Sequence, residues 1–159
     1  MSRVVHVITD AIMAASIMSG VTHEFELQNA LSELDTLCRN LETFGNALGL
    51  PKKSVFQINL ALDELFTNIV SYGFTDEKTH RIKFTLSAEN GVIIIRIEDS
   101  GIPFDTVSPD TSQVQPPVED CKVGGLGLHL VKKMMDEVVY ERCANKNVTT
   151  MKKKYLPDT

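Results

Sequence analysis

Glu64 and Asn68 stand four residues apart in the stretch Ile58–Phe74, an acid and an amide in an otherwise apolar run. On a helix turning about 100° per residue they project about 40° apart, one turn or about 6 Å from each other along the axis. Groups so placed can divide labour around a metal-bound phosphate. The amide oxygen is a hard ligand of the kind Mg²⁺ accepts while keeping several waters, and the carboxylate can take a proton from an attacking hydroxyl or water. The alternative is an amphipathic helix whose Glu and Asn merely lie at the edge of a buried face. A second polar grouping is Asp99-Ser100-Gly101-Ile102-Pro103-Phe104-Asp105, which ends an apolar run. A buried carboxylate needs hydrogen-bond donors, an adenine amino group is one such donor, and Gly101 lets a ligand come close to the backbone. A loop-capping Asp serves equally well as an explanation. The third grouping, Gly124-Gly125-Leu126-Gly127, runs into Leu128, Leu130, Val131, Met134 and Met135. Glycines ahead of a helix expose several backbone N–H groups, a ready anion site, although glycine also permits plain tight packing. The grouping is neither a Walker A loop nor a complete dinucleotide fingerprint.

The elements that must position these groups follow from periodicity. Ile58, Leu62, Leu65, Ile69 and Tyr72 recur at spacings of three and four, which predicts a helix opening near Pro51 and Ser54. Gly73 suits a left-handed stop, and Asp63, about 100° from Glu64, is expected on the solvated side. Upstream, His23–Leu27 alternates as a strand. From Ala30 the set Leu31, Leu34, Leu37, Leu41, Phe44 and Leu48 predicts a second helix, closed by Gly49 with Pro51 beyond. Arg81–Leu86 and Val92–Glu98 are predicted strands joined by a turn at Glu89-Asn90-Gly91. Thr106–Lys122, with Pro109, Pro116 and Pro117, has the length of a lid or binding loop. Val138–Cys143, a turn at Asn145-Lys146-Asn147 and Val148–Tyr155 make a final hairpin, its lysines suited to an exposed edge.

Composition sets the frame. A chain of 159 residues, 43% apolar and 23% charged, suits one domain with a core that needs no staples. A net charge of −5 argues against a general nucleic-acid binder. Cys38, Cys121 and Cys143 fit no Cys-x-x-Cys motif, so free thiols in a reducing cytoplasm are expected. The histidines are scattered, His129 packing on a helix or facing solvent, and no metal site built from protein ligands alone is apparent. Residues 4–19 are apolar, but Asp10 interrupts them and they are too short to span a bilayer. They are expected to be an extension of unknown role (residues 1–20) packed on the domain, 21–159, or on a second subunit.

The three groupings occur in one order: Glu64-x-x-x-Asn68, Asp99-x-Gly101-x-Pro103, Gly125-x-Gly127. That order resembles the ATP-binding fold shared by histidine kinases, gyrase, Hsp90 and MutL. Within it the chain is most similar to the anti-sigma-factor serine kinases of bacterial partner-switching systems, on Asn68 followed by Tyr72-Gly73, Asp99–Asp105, and Gly124–Val131 followed by Met135-Asp136-Glu137-Val138. The likeness covers roughly residues 22–155. It implies a two-layer α/β sandwich, a mostly antiparallel mixed sheet with helices on one face. It implies ATP and Mg²⁺, with Asn68 on the metal, Asp99 on the adenine amino group and Gly101 giving the base room. The backbone of Gly124, Gly125, Leu126, Gly127 and Leu128 would meet the phosphates under a lid of residues 106–123. Thr150 would lie near adenine, and Glu64 would be the base that activates a serine hydroxyl.

The implied partners are a sigma factor or similar regulator and an antagonist protein with a phosphorylatable serine, with neither nucleic acid nor membrane involved and a homodimer possible. Where many such proteins carry a lid arginine, this chain offers Lys122, which makes no bidentate contact. A nucleotide-dependent binding module without kinase activity is the alternative. A histidine-kinase catalytic domain is the weakest reading, because no separate helical hairpin carries an acceptor histidine.

Overall fold

The computed structural model describes residues 20–104 and 124–155, with only the backbone of 124–126. Residues 1–19 and 105–123, and with them all but the last residue of the expected extension, the whole expected lid, Cys121 and Lys122, lie outside the described residues. Five strands, β1 (Val21–Gln28), β2 (Arg81–Glu89), β3 (Val92–Asp99), β4 (Glu137–Cys143) and β5 (Lys146–Lys154), form one sheet in the order β1-β2-β3-β5-β4. Every pairing is antiparallel. Three helices accompany it: α1 (Leu34–Leu48, after a 3₁₀ turn at Leu31–Glu33), α2 (Lys52–Tyr72) and α3 (Gly124–Met134).

Alternation in the strands decides which face the helices cover. Ile82, Phe84, Leu86 and Ala88 of β2 and Ile93, Ile95 and Ile97 of β3 are buried together with Ile58, Leu62, Leu65 and Phe66 of α2 and Leu37, Leu41 and Phe44 of α1. Their neighbours on the strands face the other way, where exposed ion pairs such as Lys83–Glu24 (3.3 Å) and Lys152–Glu137 (3.0 Å) lace the open side. Such pairs contribute little to stability; they keep that face soluble. Phe66 anchors α2 to the sheet by tilting against Phe84, ring centroids 6.0 Å apart, while Phe25 stacks on the same ring at 5.1 Å.

The two-layer architecture is as expected, and the described sheet is wholly antiparallel. Gly49 ends α1 in the left-handed conformation (φ 62°, ψ 36°), and the β2–β3 turn uses positive φ at Asn90 and Gly91. Five local expectations are corrected. Gly73 is right-handed (φ −76°, ψ −24°), and Tyr72 is exposed rather than on the buried face. The last turn is Ala144–Asn145, both at positive φ, so Lys146 and Asn147 belong to β5. β5 is no edge: it lies between β3 and β4, and its lysines have particular partners. Lys153 Nζ, for instance, donates to the carbonyl of Met134 (2.7 Å) and so caps α3. Asp63 is half-buried and accepts from Asn59 Nδ2 (3.2 Å), and burial, then the neighbouring Glu64, push its carboxyl above the usual range.

Candidate active site

The second half of α2 offers two adjacent faces. Leu65 and Ile69 turn toward the sheet and, with Gly73, Asp99, Phe104, Tyr140, Asn147 and Thr149, line a small cavity of about 20 Å³. Glu64 and Asn68, half-buried, lie beside that face, next to α3, which packs chiefly on α2.

At the cavity Asp99 is 5% exposed. Its Oδ1 accepts two hydrogen bonds, from the Gly101 N–H (2.8 Å) and from Asn147 Nδ2 (2.8 Å). Burial pushes its carboxyl above the ordinary range, and those two donors and the Arg142 guanidinium pull the other way. Gly101 is glycine for a definite reason. A Cβ there would run into the carbonyl oxygen of Gly73 and come within 2.8 Å of Asp99 Oδ1. The Ile102 N–H donates to that same Gly73 carbonyl (2.7 Å), tying the loop after β3 to the end of α2. Room for a ligand is thus at most a second role for Gly101.

On the α3 side, a Cβ on Gly127 would run into Glu64 Oε2. The glycine lets the first turn of α3 lie directly against the carboxylate. Among the described residues no hydrogen bond engages the side chains of Glu64 or Asn68, and no three His, Cys, Asp or Glu side chains gather as a metal cluster. An oxygen ligand as sparse as Asn68 suits a cation that completes its shell with phosphate oxygens and water. The donor set therefore fits Mg²⁺ carried in with a nucleotide rather than a metal caged by protein. The apolar walls and the buried carboxylate likewise fit a flat base bearing an amino group.

The sequence-predicted residues divide as follows. Glu64, Asn68, Asp99, Gly101 and Gly127 converge on the space around the second half of α2. Gly124, Gly125, Leu126 and Leu128 belong to the opening turns of α3, whose N-terminal N–H groups are of the kind that attracts anions. Thr150 does not converge: it pairs with the exposed Arg96 on the open face of the sheet, whereas Thr149, buried, lines the cavity. The period of two decides this, since a one-residue shift reverses the face.

Three residues beside Asp99 were missed altogether: Tyr140, Arg142 and Asn147. The available signal was the alternation Val138, Tyr140, Arg142 on β4, which places polar groups on the inner face where a core strand would carry apolar ones.

A helix-covered antiparallel sheet with a buried acid at one side of the central helix and an acid–amide pair at the other defines a nucleotide-binding domain. The model of the family described as "Histidine kinase-like ATPase domain" matches residues 27–153, and the chain belongs to that family. Among similar proteins, an anti-sigma F factor of Geobacillus sp. (strain WCH70) is 24% identical over 136 residues, covering 84% of this chain and 93% of its own length. A serine-protein kinase RsbW of Oceanobacillus iheyensis is 30% identical over 102 residues, covering 62% of this chain and 65% of its own length. A crystal structure of the RsbU and RsbW domains of a Mycobacterium tuberculosis protein shares the fold, with a TM-score of 0.60 at 15% identity. That match covers 85% of this chain and 32% of the other.

Proposed function

We propose that the protein is a Mg-ATP-dependent serine protein kinase of a bacterial partner-switching system. It phosphorylates a serine on a small antagonist protein and, in its other partnership, sequesters a sigma factor or similar regulator. The observation that carries the chemistry is the contact of the Glu64 carboxylate with Gly127, in the first turns of α3. A helix start attracts phosphate oxygens, so a base lying against it stands beside the group to be transferred. The similar proteins named anti-sigma F factor and serine-protein kinase supply the class of partner and of acceptor.

In this reading Asp99 and Thr149 take the adenine, with Leu65 and Ile69 against its ring. The 20 Å³ cavity holds about one water, so Phe104 must swing outward for a base to enter. Asn68 would hold Mg²⁺, which when bound neutralises phosphate charge. Glu64 takes the proton of the incoming serine hydroxyl while the chain's other groups hold the reactants in line, positioning being most of what phosphoryl transfer needs. Residues 1–20 would be an extension of unknown role attached to the domain, 21–159. The setting is the cytoplasm; among the described residues no helix is long and apolar enough to cross a membrane.

The test is incubation of the protein with γ-labelled ATP and each small antagonist encoded near its gene, alongside capture of the cognate sigma factor. Labelled phosphoserine on one antagonist is the expected result. ATP-dependent capture of a partner with no label on any antagonist would replace the kinase with a binding module.

A further inference from the structure

The amide of Asn147 is saturated in a way that leaves no freedom to turn. Its Nδ2 donates to Asp99 Oδ1 (2.8 Å) and to the carbonyl of Ile102 (2.9 Å). Its Oδ1 accepts from the Tyr140 hydroxyl (2.7 Å) and from Arg142 Nη1 (2.9 Å). The partners dictate this orientation: a guanidinium only donates and a carboxylate or backbone carbonyl only accepts, so the flipped amide would face three mismatches. Asn147 is itself 4% exposed. Arg142 Nη1 also donates to the Gly101 carbonyl (2.8 Å), and the Phe104 N–H donates to the Tyr140 hydroxyl (3.2 Å). One buried amide therefore ties β5, the β4 side chains and the segment 101–104 to a single oxygen of Asp99.

We propose that Asn147, locked by Tyr140 and Arg142, is a specificity-positioning residue of the base pocket: it occupies Asp99 Oδ1 so that Oδ2 alone is presented to the amino group of the base. This rests on the adenine reading given above. Oδ1 is filled by two N–H donors, and a carboxylate with one oxygen so held cannot rotate to offer the other geometry. The arrangement also favours the charged form of Asp99, which accepts from an amino group and repels the carbonyl that guanine carries at the same edge. Without the amide, Asp99 loses a donor that opposes the effect of its burial. It then holds a proton more readily and donates to that carbonyl. Among the described residues the charged or titratable groups facing Asp99 are Arg142 and Tyr140 from β4. β5 contributes Asn147 and Thr149, and α2 contributes only Leu65 and Ile69.

The experiment is calorimetric titration of the full chain with ATP and with GTP, across mildly acidic to mildly alkaline pH, for wild type, Asn147→Leu and Asn147→Asp. Wild type prefers ATP and loses affinity for it as pH falls and Asp99 gains a proton. In Asn147→Leu the ATP-to-GTP preference drops by about tenfold or more, the worth of a hydrogen bond to a charged group. In Asn147→Asp two carboxylates face each other, so ATP binding is weak at alkaline pH. It recovers as pH falls, because one proton on either carboxyl restores the bridge. That slope is opposite to wild type and is not a consequence of lost packing.

If Asn147→Leu does not fold, Tyr140→Phe, which removes one lock on the amide, should lower the preference in the same direction by a smaller factor. Variants with wild-type preference and wild-type pH slope overturn the proposal while the adenine reading stands. A wild-type protein that binds no adenine nucleotide overturns both.

Discussion

Gly101 and Gly127 both sit where a Cβ would collide with something, but the two collisions differ in kind. At Gly101 the obstacle is the backbone carbonyl of Gly73, itself hydrogen-bonded to Ile102. At Gly127 it is the far end of the Glu64 side chain, which rotates freely enough to move aside. The contrast runs through the whole site. Asp99 and its partner Asn147 are buried, and every described polar group around them is engaged, so the geometry is built into the fold. Around Glu64 and Asn68 the polar ends are half-buried, with no described hydrogen bond holding them. A pocket that recognises a base gains from rigidity, since ordering is then complete before binding. Groups that receive a proton or a metal must keep their acceptor capacity for the reactant.

The largest expected effect separates the two glycines. Gly127→Ala should displace the Glu64 carboxylate and lower transfer to the antagonist by about 10²–10⁴-fold, the usual contribution of a positioned base. Its melting temperature should stay near wild type, because alanine is favoured over glycine within a helix by about 0.5–1 kcal/mol. Gly101→Ala should do the reverse in stability, costing about 1–3 kcal/mol as overpacking against backbone. Denaturant titration of both variants checks the pair, and equal stability losses would erase the distinction.

Asp99→Asn comes next. It keeps the shape but replaces one acceptor oxygen with a donor, so ATP affinity should fall by about ten- to a hundredfold. The loss for GTP should be smaller, because guanine presents an acceptor at that edge. Calorimetry with both nucleotides measures the difference.

pH supplies a companion test with two opposite signs. The folded-state carboxyl of Asp99 is raised. Between its ordinary value and that raised value the native state binds more protons than the unfolded chain. Its contribution to the stability of the nucleotide-free protein therefore falls as pH rises through that window, and Asp63 acts in the same direction. ATP affinity, which needs the charged form, should instead rise with pH over the same window.

The smallest effect concerns neighbouring threonines. Thr149→Val should weaken ATP binding by about fivefold, a neutral hydrogen bond's worth of roughly 1 kcal/mol. Thr150→Val, on the open face, should leave affinity unchanged. A loss confined to Thr150→Val would put β5 in the other register.

Much of this was legible in the sequence, for physical reasons. The apolar periods of 3.6 and 2 located both long helices and all five strands, because burial on one face leaves that imprint. Glu64, Asn68 and Asp99 stood out as polar groups interrupting or ending apolar runs, where a polar group needs a reason. Thr150 was placed near adenine by the resemblance alone, and the sheet register instead turns Thr149 to the cavity; the final turn begins one residue earlier than expected because Ala144 takes a positive φ that its residue type does not advertise. That turn placement also hid Asn147, read as a turn residue although it is buried and bonded to Asp99. Gly101 and Gly127 were noticed, but the backbone carbonyl and the carboxylate they accommodate lie far off in the chain. Only the assembled fold brings those neighbours together.

The division of labour across α2 is tested most directly by single-turnover transfer from labelled ATP to the antagonist serine in Glu64→Gln, at ATP concentrations that saturate the variant. The account predicts a rate lower by about 10²–10⁴-fold with ATP affinity unchanged, because the base pocket and Asn68 are untouched. Transfer at the wild-type rate would contradict it and leave Glu64 as a packing partner of Gly127 alone.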